Sequence, residues 1–269
     1  MDFSTPRVMG ILNVTPDSFY DGKTVGLYDS KTVRLYEDKV EQMVNEGAYI
    51  IDIGAVSTRP GAADVSIEEE KRRLVPVLKE IRKEHPGIII SVDTYRAEIA
   101  RIAAGEGADM INDMSGGTFD PAMLPAIIKL GIPYIIMHIQ GTPANMQANP
   151  VYDDVVMEVR NFLLEQTGKL EKSGHHQIII DPGFGFGKTI RHNYELLKGI
   201  NEFVATSYPV MAGLSRKSMI NRVLNTKPED ALNGTTVLNT IALLKGASIL
   251  RVHDVREAVE AVKLVNELI

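Results

Sequence analysis

Eight short apolar runs in this sequence each end in residues able to carry charge, donate a hydrogen bond or ligate a metal. Run 8–12 leads into Asn13-Val14-Thr15-Pro16-Asp17-Ser18-Phe19, and run 49–53 into Gly54-Ala55-Val56-Ser57-Thr58-Arg59-Pro60-Gly61. The next three end in Asp93-Thr94, Asn112-Asp113 and His138-Ile139-Gln140-Gly141. The last three end in Asp181-Pro182-Gly183-Phe184-Gly185-Phe186-Gly187-Lys188, Gly213-Leu214-Ser215-Arg216-Lys217-Ser218 and Arg251-Val252-His253-Asp254. Two chemistries follow from these residue types. Carboxylates such as Asp93 and Asp181 accept paired hydrogen bonds from the amino-amide edge of a flat heterocycle, and the glycine-rich 182–188 loop lets backbone pass close to such a ring while Phe184 or Phe186 stacks on it. Asn13, Thr58, Arg59, Arg251 and His253 supply a neutral oxygen, a hydroxyl and cations, a set that suits a diphosphate with Mg²⁺. The Ser215-Arg216-Lys217 segment, where a strand gives way to a helix, is a further anion cradle.

Each of these residues taken singly has a plainer job. Asp93 reads as a helix cap, His138 as a satisfied buried histidine, Asn13, Asn112 and Asp113 as turn residues, and Arg251 as the partner of a core carboxylate. Caps and turns do not require polar groups on eight successive run ends, so the conjunction favours a shared site.

Positioning such groups on one rim requires parallel strands. The runs are continuous in hydrophobicity rather than alternating, as in strands buried on both faces. Between them lie segments of helical period, among them Val33, Tyr36, Val40, Met43 and Val44, and Val155, Val159, Phe162 and Leu163. Ser66-Ile67-Glu68-Glu69 has capping-box spacing, Asp254 is placed to cap a helix opening at Val255, and Gly47, Gly107, Gly131 and Gly174 stand where helices need a left-handed end. Eight strand–helix units in 269 residues predict a single (β/α)₈ TIM barrel spanning 1–269, with its active site at the C-terminal ends of the strands. The long stretch 218–244, with Pro228 and Gly234 inside it, predicts a helix, a break and an extra helix between strands 7 and 8.

Lys and Arg number 29 against 35 Asp and Glu, a net charge of −6 that disfavours nucleic acid or an anionic membrane as partner. With no cysteine there are no disulfides, no thiolate nucleophile and no Cys-ligated metal. Neither a signal-peptide pattern nor an apolar run of membrane-spanning length occurs, which predicts a cytoplasmic protein.

With these residues assembled, the chain resembles the dihydropteroate synthases, folate-pathway transferases that join hydroxymethyl-dihydropterin diphosphate to para-aminobenzoate. The motifs quoted above, with Ser91-Val92-Asp93-Thr94 and Ser115-Gly116, carry the resemblance from the first run to the last. It implies that Asp93, Asn112, Asp181 and Lys217 bind the pterin edges while Met137, Phe186 and Arg251 pack beside the ring. It implies a diphosphate held by Asn13, Thr58, Arg59, Arg251 and His253, with Asn13 ligating Mg²⁺, and para-aminobenzoate bound by Thr58, Pro60, Phe186, Ser215 and Arg216. Catalysis then falls to Asp93, Lys217, Arg251 and His253, in an SN1-like transfer that releases pyrophosphate. A homodimer and inhibition by sulfonamides are also implied. The sequence departs from the family at Ala55-Val56, where Gly-Glu or Gly-Gln is usual, and at Asp21-Gly22-Lys23, which lacks a second glycine. The alternatives are a methyltetrahydrofolate-dependent methyltransferase on a related barrel, a non-catalytic pterin-binding protein, or a Schiff-base lyase using Lys217.

Overall fold

The computed structural model describes residues 1–15, 30–57 and 65–268. Eight parallel strands run through them: β1 (Arg7–Asn13), β2 (Ile50–Gly54), β3 (Ile89–Asp93), β4 (Met110–Asp113), β5 (Tyr134–Met137), β6 (Ile178–Asp181), β7 (Met211–Ala212) and β8 (Ile249–Val252). They pair in the order β6-β5-β4-β3-β2-β1-β8-β7, and a bridge between Ile180 and Val210 joins β6 to β7 and closes the barrel. Helices α1 (Ser30–Asn45), α2 (Ile67–Glu84), α3 (Ala97–Gly105), α4 (Met123–Leu130) and α5 (Val155–Glu171) follow the first five strands. Two helices, α6 (Ile190–Lys198) and α7 (Ile200–Val204), follow β6, and α10 (Val255–Asn266) follows β8.

The continuous apolar runs resolve into two faces. On β2, Ile51 and Ile53 join the layer between barrel and helices, which also takes Tyr36, Val40, Val155, Val159 and Leu163. Ile50, one residue out of phase, belongs with Met9, Met110, Ile135, Ile179, Met211 and Ile249 to a separate plug inside the barrel. Both faces are dry at this level, so the period of two that a strand imposes is hidden in the sequence.

The connection from β7 to β8 holds α8 (Ser218–Leu224), a 3₁₀ turn at Pro228–Asp230 and α9 (Leu232–Leu244), the extra helix that the sequence predicts. Its break falls at Pro228 alone. Gly234 lies buried inside α9, where a Cβ would overlap the Ile220 side chain, so it serves close packing of α9 on α8 rather than a break. Ser66 caps α2 by accepting from the Glu69 amide, but Glu69 spends its own carboxylate on Arg72 and Arg73, so only half of the expected box forms. Gly47, Gly107, Gly131 and Gly174 all have positive φ, as expected of helix ends. Asp254 does not cap α10: its side chain makes no cap hydrogen bond and is taken instead by Arg216.

Candidate active site

Two residues beyond the apolar plug, the same inward positions turn polar. Ile50 is followed by Asp52, Met110 by Asn112, Ile179 by Asp181 and Ile249 by Arg251. Parallel register keeps these residues at one level, with Asp52 beside Ser91 and Asp93 beside Asn112. The barrel is thus sealed below and chemically equipped above.

Arg251 organises one side. Its Nε donates to Asp52 Oδ2 at 2.7 Å and its Nη2 to Asp93 Oδ2 at 2.9 Å, while Asn112 Nδ2 donates to the same Asp52 oxygen at 3.0 Å. Burial pushes the Asp93 carboxyl up to about 7 against the pull of Arg251, with Asp52 and Asp113 adding like-charge repulsion. Asp52 Oδ1 and Ser91 Oγ, both buried, have no hydrogen-bond partner among the described residues.

Across the barrel, burial raises Asp181 while Lys217 opposes the shift. Asp181 Oδ1 accepts from the Gly183 amide at 2.7 Å, and its Oδ2 and Lys217 Nζ both lie within 4 Å of the point where Gly213 would carry a Cβ. Burial likewise lowers Lys217 to about 8, partly offset by Asp181. The Lys217 ammonium donates to the Phe184 carbonyl and sits 4.9 Å above the Phe186 ring. Phe186 and Met137 belong to an apolar wall with Met114, Ile139 and Met146. Phe184, in contrast, is fully buried in the outer core, so Phe186 is the aromatic of this loop that is available to a ligand.

Ser215 and His253 meet: Ser215 Oγ lies 3.0 Å from His253 Nδ1 and accepts from the His253 amide at 3.2 Å. The Arg216 guanidinium is engaged bidentately by Asp254 at 3.0 and 2.5 Å. Asn13 Oδ1 and Asp93 Oδ2 converge over Gly54, 3.7 and 3.8 Å from where its Cβ would be. Thr58, Arg59 and Pro60, together with 21–23, lie outside the described residues. Ala55, the first departure from the family pattern, is buried in the outer core. Asp113 turns away from this group to hold the turn after β4, accepting from Ser115 and Gly117 amides and from the Tyr134 hydroxyl.

Two residues that sequence reasoning left unassigned are central here. Asp52 was concealed inside an apolar run, and an acid amid β-branched residues is the signal that could have found it. Lys188 closes the glycine-rich loop and points inward to His138.

A family model described as "Pterin binding enzyme" matches residues 9–253. The dihydropteroate synthase of Escherichia coli (strain K12) is 46% identical over 268 residues, covering 99% of this chain and 93% of that one. Yersinia pestis dihydropteroate synthase, solved with a sulfonamide drug complex, is 41% identical with a TM-score of 0.92, covering 100% and 96% of the two chains. The Xanthomonas albilineans enzyme in complex with 7,8-dihydropteroate is 37% identical with a TM-score of 0.87, covering 100% and 95%. This similarity along the length of the chain, joined to a polar layer above a sealed barrel, has one reading: the chain belongs to the dihydropteroate synthase family of pterin-binding enzymes.

Proposed function

We propose that the chain transfers the dihydropterin-methyl group of hydroxymethyl-dihydropterin diphosphate to the amine of para-aminobenzoate, forming dihydropteroate and pyrophosphate. The observation that carries this reading is the buried layer in which Arg251 links Asp52 to Asp93 opposite the Asp181 and Lys217 pair. A flat ring with donors on one edge and acceptors on another satisfies such a layer. Asp93, Asn112 and Asp181 take its donor edges, Lys217 faces an acceptor, and Met137 and Phe186 pack on its face.

Breaking the C–O bond sends the electron pair to the diphosphate and leaves a methylene cation delocalised over the pterin. Asp93 and Asp181, in their ionised forms, favour that cation electrostatically from the polar layer of the barrel. The aryl amine is neutral near pH 7, so its lone pair forms the C–N bond without a strong base, and the proton then leaves to solvent or diphosphate. Arg251 and His253, with Thr58 and Arg59, stabilise the departing diphosphate. Ser215 holds the carboxylate of para-aminobenzoate beside Pro60, Phe186 and Arg216.

The convergence of Asn13 and Asp93 oxygens over Gly54 fits a hydrated Mg²⁺, which takes few protein oxygens beside substrate phosphate. Asn13 would hold it, and when bound it neutralises charge on the leaving group.

No helix among the described residues is long and apolar enough to cross a membrane. We place the protein in the cytoplasm as a single-domain homodimer, the exposed apolar residues of α8 and α9 supplying the contact between copies. A methyltransferase would need no diphosphate site. Incubating the protein with hydroxymethyl-dihydropterin diphosphate, para-aminobenzoate and Mg²⁺ yields dihydropteroate by mass spectrometry if the reading holds; unreacted substrates would refute it.

A further inference from the structure

Lys188 is only 2% exposed, yet no step of the transfer uses it. Its Nζ lies 3.0 Å from His138 Nδ1 and donates to the carbonyl oxygens of His138, Gly183 and Phe186 at 3.2, 2.9 and 3.0 Å. These partners come from two places. His138 prolongs β5, whereas Gly183 and Phe186 belong to the loop after β6. A buried amine must have its N–H groups satisfied, and carbonyls turned inward must have donors. One side-chain nitrogen reaches all of these partners only while the two segments stay together. Burial pushes His138 down to about 3 and holds Lys188 well below the ordinary lysine value, with Lys217 adding to that shift and Asp181 opposing it, so Nζ and Nδ1 meet as hydrogen-bonding groups and not as two charges.

The backbones beneath are in direct contact. A Cβ on Gly183 (φ 70°) would overlap the His138 carbonyl oxygen, and one on Gly187 (φ 62°) the Gln140 carbonyl oxygen. Glycine thus allows the approach, and Lys188 Nζ bridges it. The loop so held surrounds Lys217: the Phe184 carbonyl accepts from its ammonium, the Phe186 ring lies below it, and Gly185 passes close to its stem.

We propose that Lys188 is a positioning residue, whose Nζ fastens loop 183–187 to the rim of β5 in the arrangement that presents the Phe184 carbonyl and Phe186 ring to Lys217 and the pterin. The inference rests on the pterin-coupling reading. It predicts that Lys188→Met releases the loop, rehydrates Lys217 and misplaces its ammonium.

The test compares Lys188→Met with wild type in melting temperature, kcat/KM for the pterin diphosphate, the alkaline limb of its pH profile, and amide hydrogen exchange of 183–187. The expected result is a folded protein with kcat/KM reduced about tenfold or more, an alkaline limb moved upward, and faster exchange confined to that loop. A variant that melts earlier but keeps wild-type kcat/KM and limb has lost only a structural contact, and overturns the proposal. Should Lys188→Met not fold, Lys188→Arg carries the same test, because its longer, planar cation cannot meet the same three carbonyls; wild-type kinetics would again overturn it. If wild type itself shows no coupling, the activity reading fails separately, and exchange of 183–187 without substrate still decides whether Lys188 holds the loop.

Discussion

Asp52 accepts from Arg251 and Asn112 through one oxygen while its other oxygen has no partner among the described residues. Breaking a buried charge pair by removing one member costs about 3–5 kcal/mol. Asp52→Asn should therefore depress the melting temperature and, by loosening Arg251, lower kcat/KM about tenfold or more, measurable by calorimetry and steady-state kinetics; an unchanged kcat/KM would mean that Asp93 alone holds Arg251. Lys217 supplies the pH dependence. Because burial lowers it to about 8, its positive charge is lost as pH rises through that value, and kcat/KM should fall on an alkaline limb there. Lys217→Arg, still protonated, should move whatever activity remains to higher pH, and an unmoved limb would assign it to another group. The residue types at strand ends made Asp93, Asn112, Asp181, Lys217 and Arg251 legible. Asp52 was not, because both neighbours of its strand position are apolar and the run reads as core.

Among the elements, the turn from β7 to α8 illustrates where local signals lose to tertiary ones. Asp254 has the type and position of a helix cap, worth about 1 kcal/mol, but a bidentate guanidinium offers two charge-assisted bonds. Arg216 is also held by its backbone: its amide donates to Thr235 Oγ1 at 3.1 Å, its carbonyl accepts from Asn221, and its φ is 56°. Such a left-handed conformation in a non-glycine residue persists only when surroundings fix it. It separates Ser215, beside His253, from Lys217, inside the barrel. Asp254→Asn should loosen this turn by about 1 kcal/mol and raise KM for para-aminobenzoate roughly fivefold, with a smaller change for the pterin diphosphate; equal changes in both would deny the turn a role at one substrate. The strands and most helices were readable from run length and period. The short α7 was not, since Gly199 reads as an end and five residues carry no helical period.

At the scale of the molecule, eight alternating units announced a barrel, whereas the separation of its interior into a dry plug and a polar layer emerged only once register was known. The outer surface carries one more consequence. Val223 and Leu224 on α8 and Leu232, Val237 and Leu244 on α9 are exposed apolar residues on adjoining helices, the kind of patch that another chain covers. A copy of this chain is the proposed occupant, so Val237→Lys should shift sedimentation from dimer to monomer, and a wild-type monomer would remove the interface. The central claim is tested most directly by measuring pyrophosphate release and dihydropteroate formation together, in wild type and in Asp93→Asn. Equal yields of the two products by wild type, lost in a folded Asp93→Asn, are predicted. Coupling that survives Asp93→Asn undiminished, or no pyrophosphate from wild type, would contradict the account.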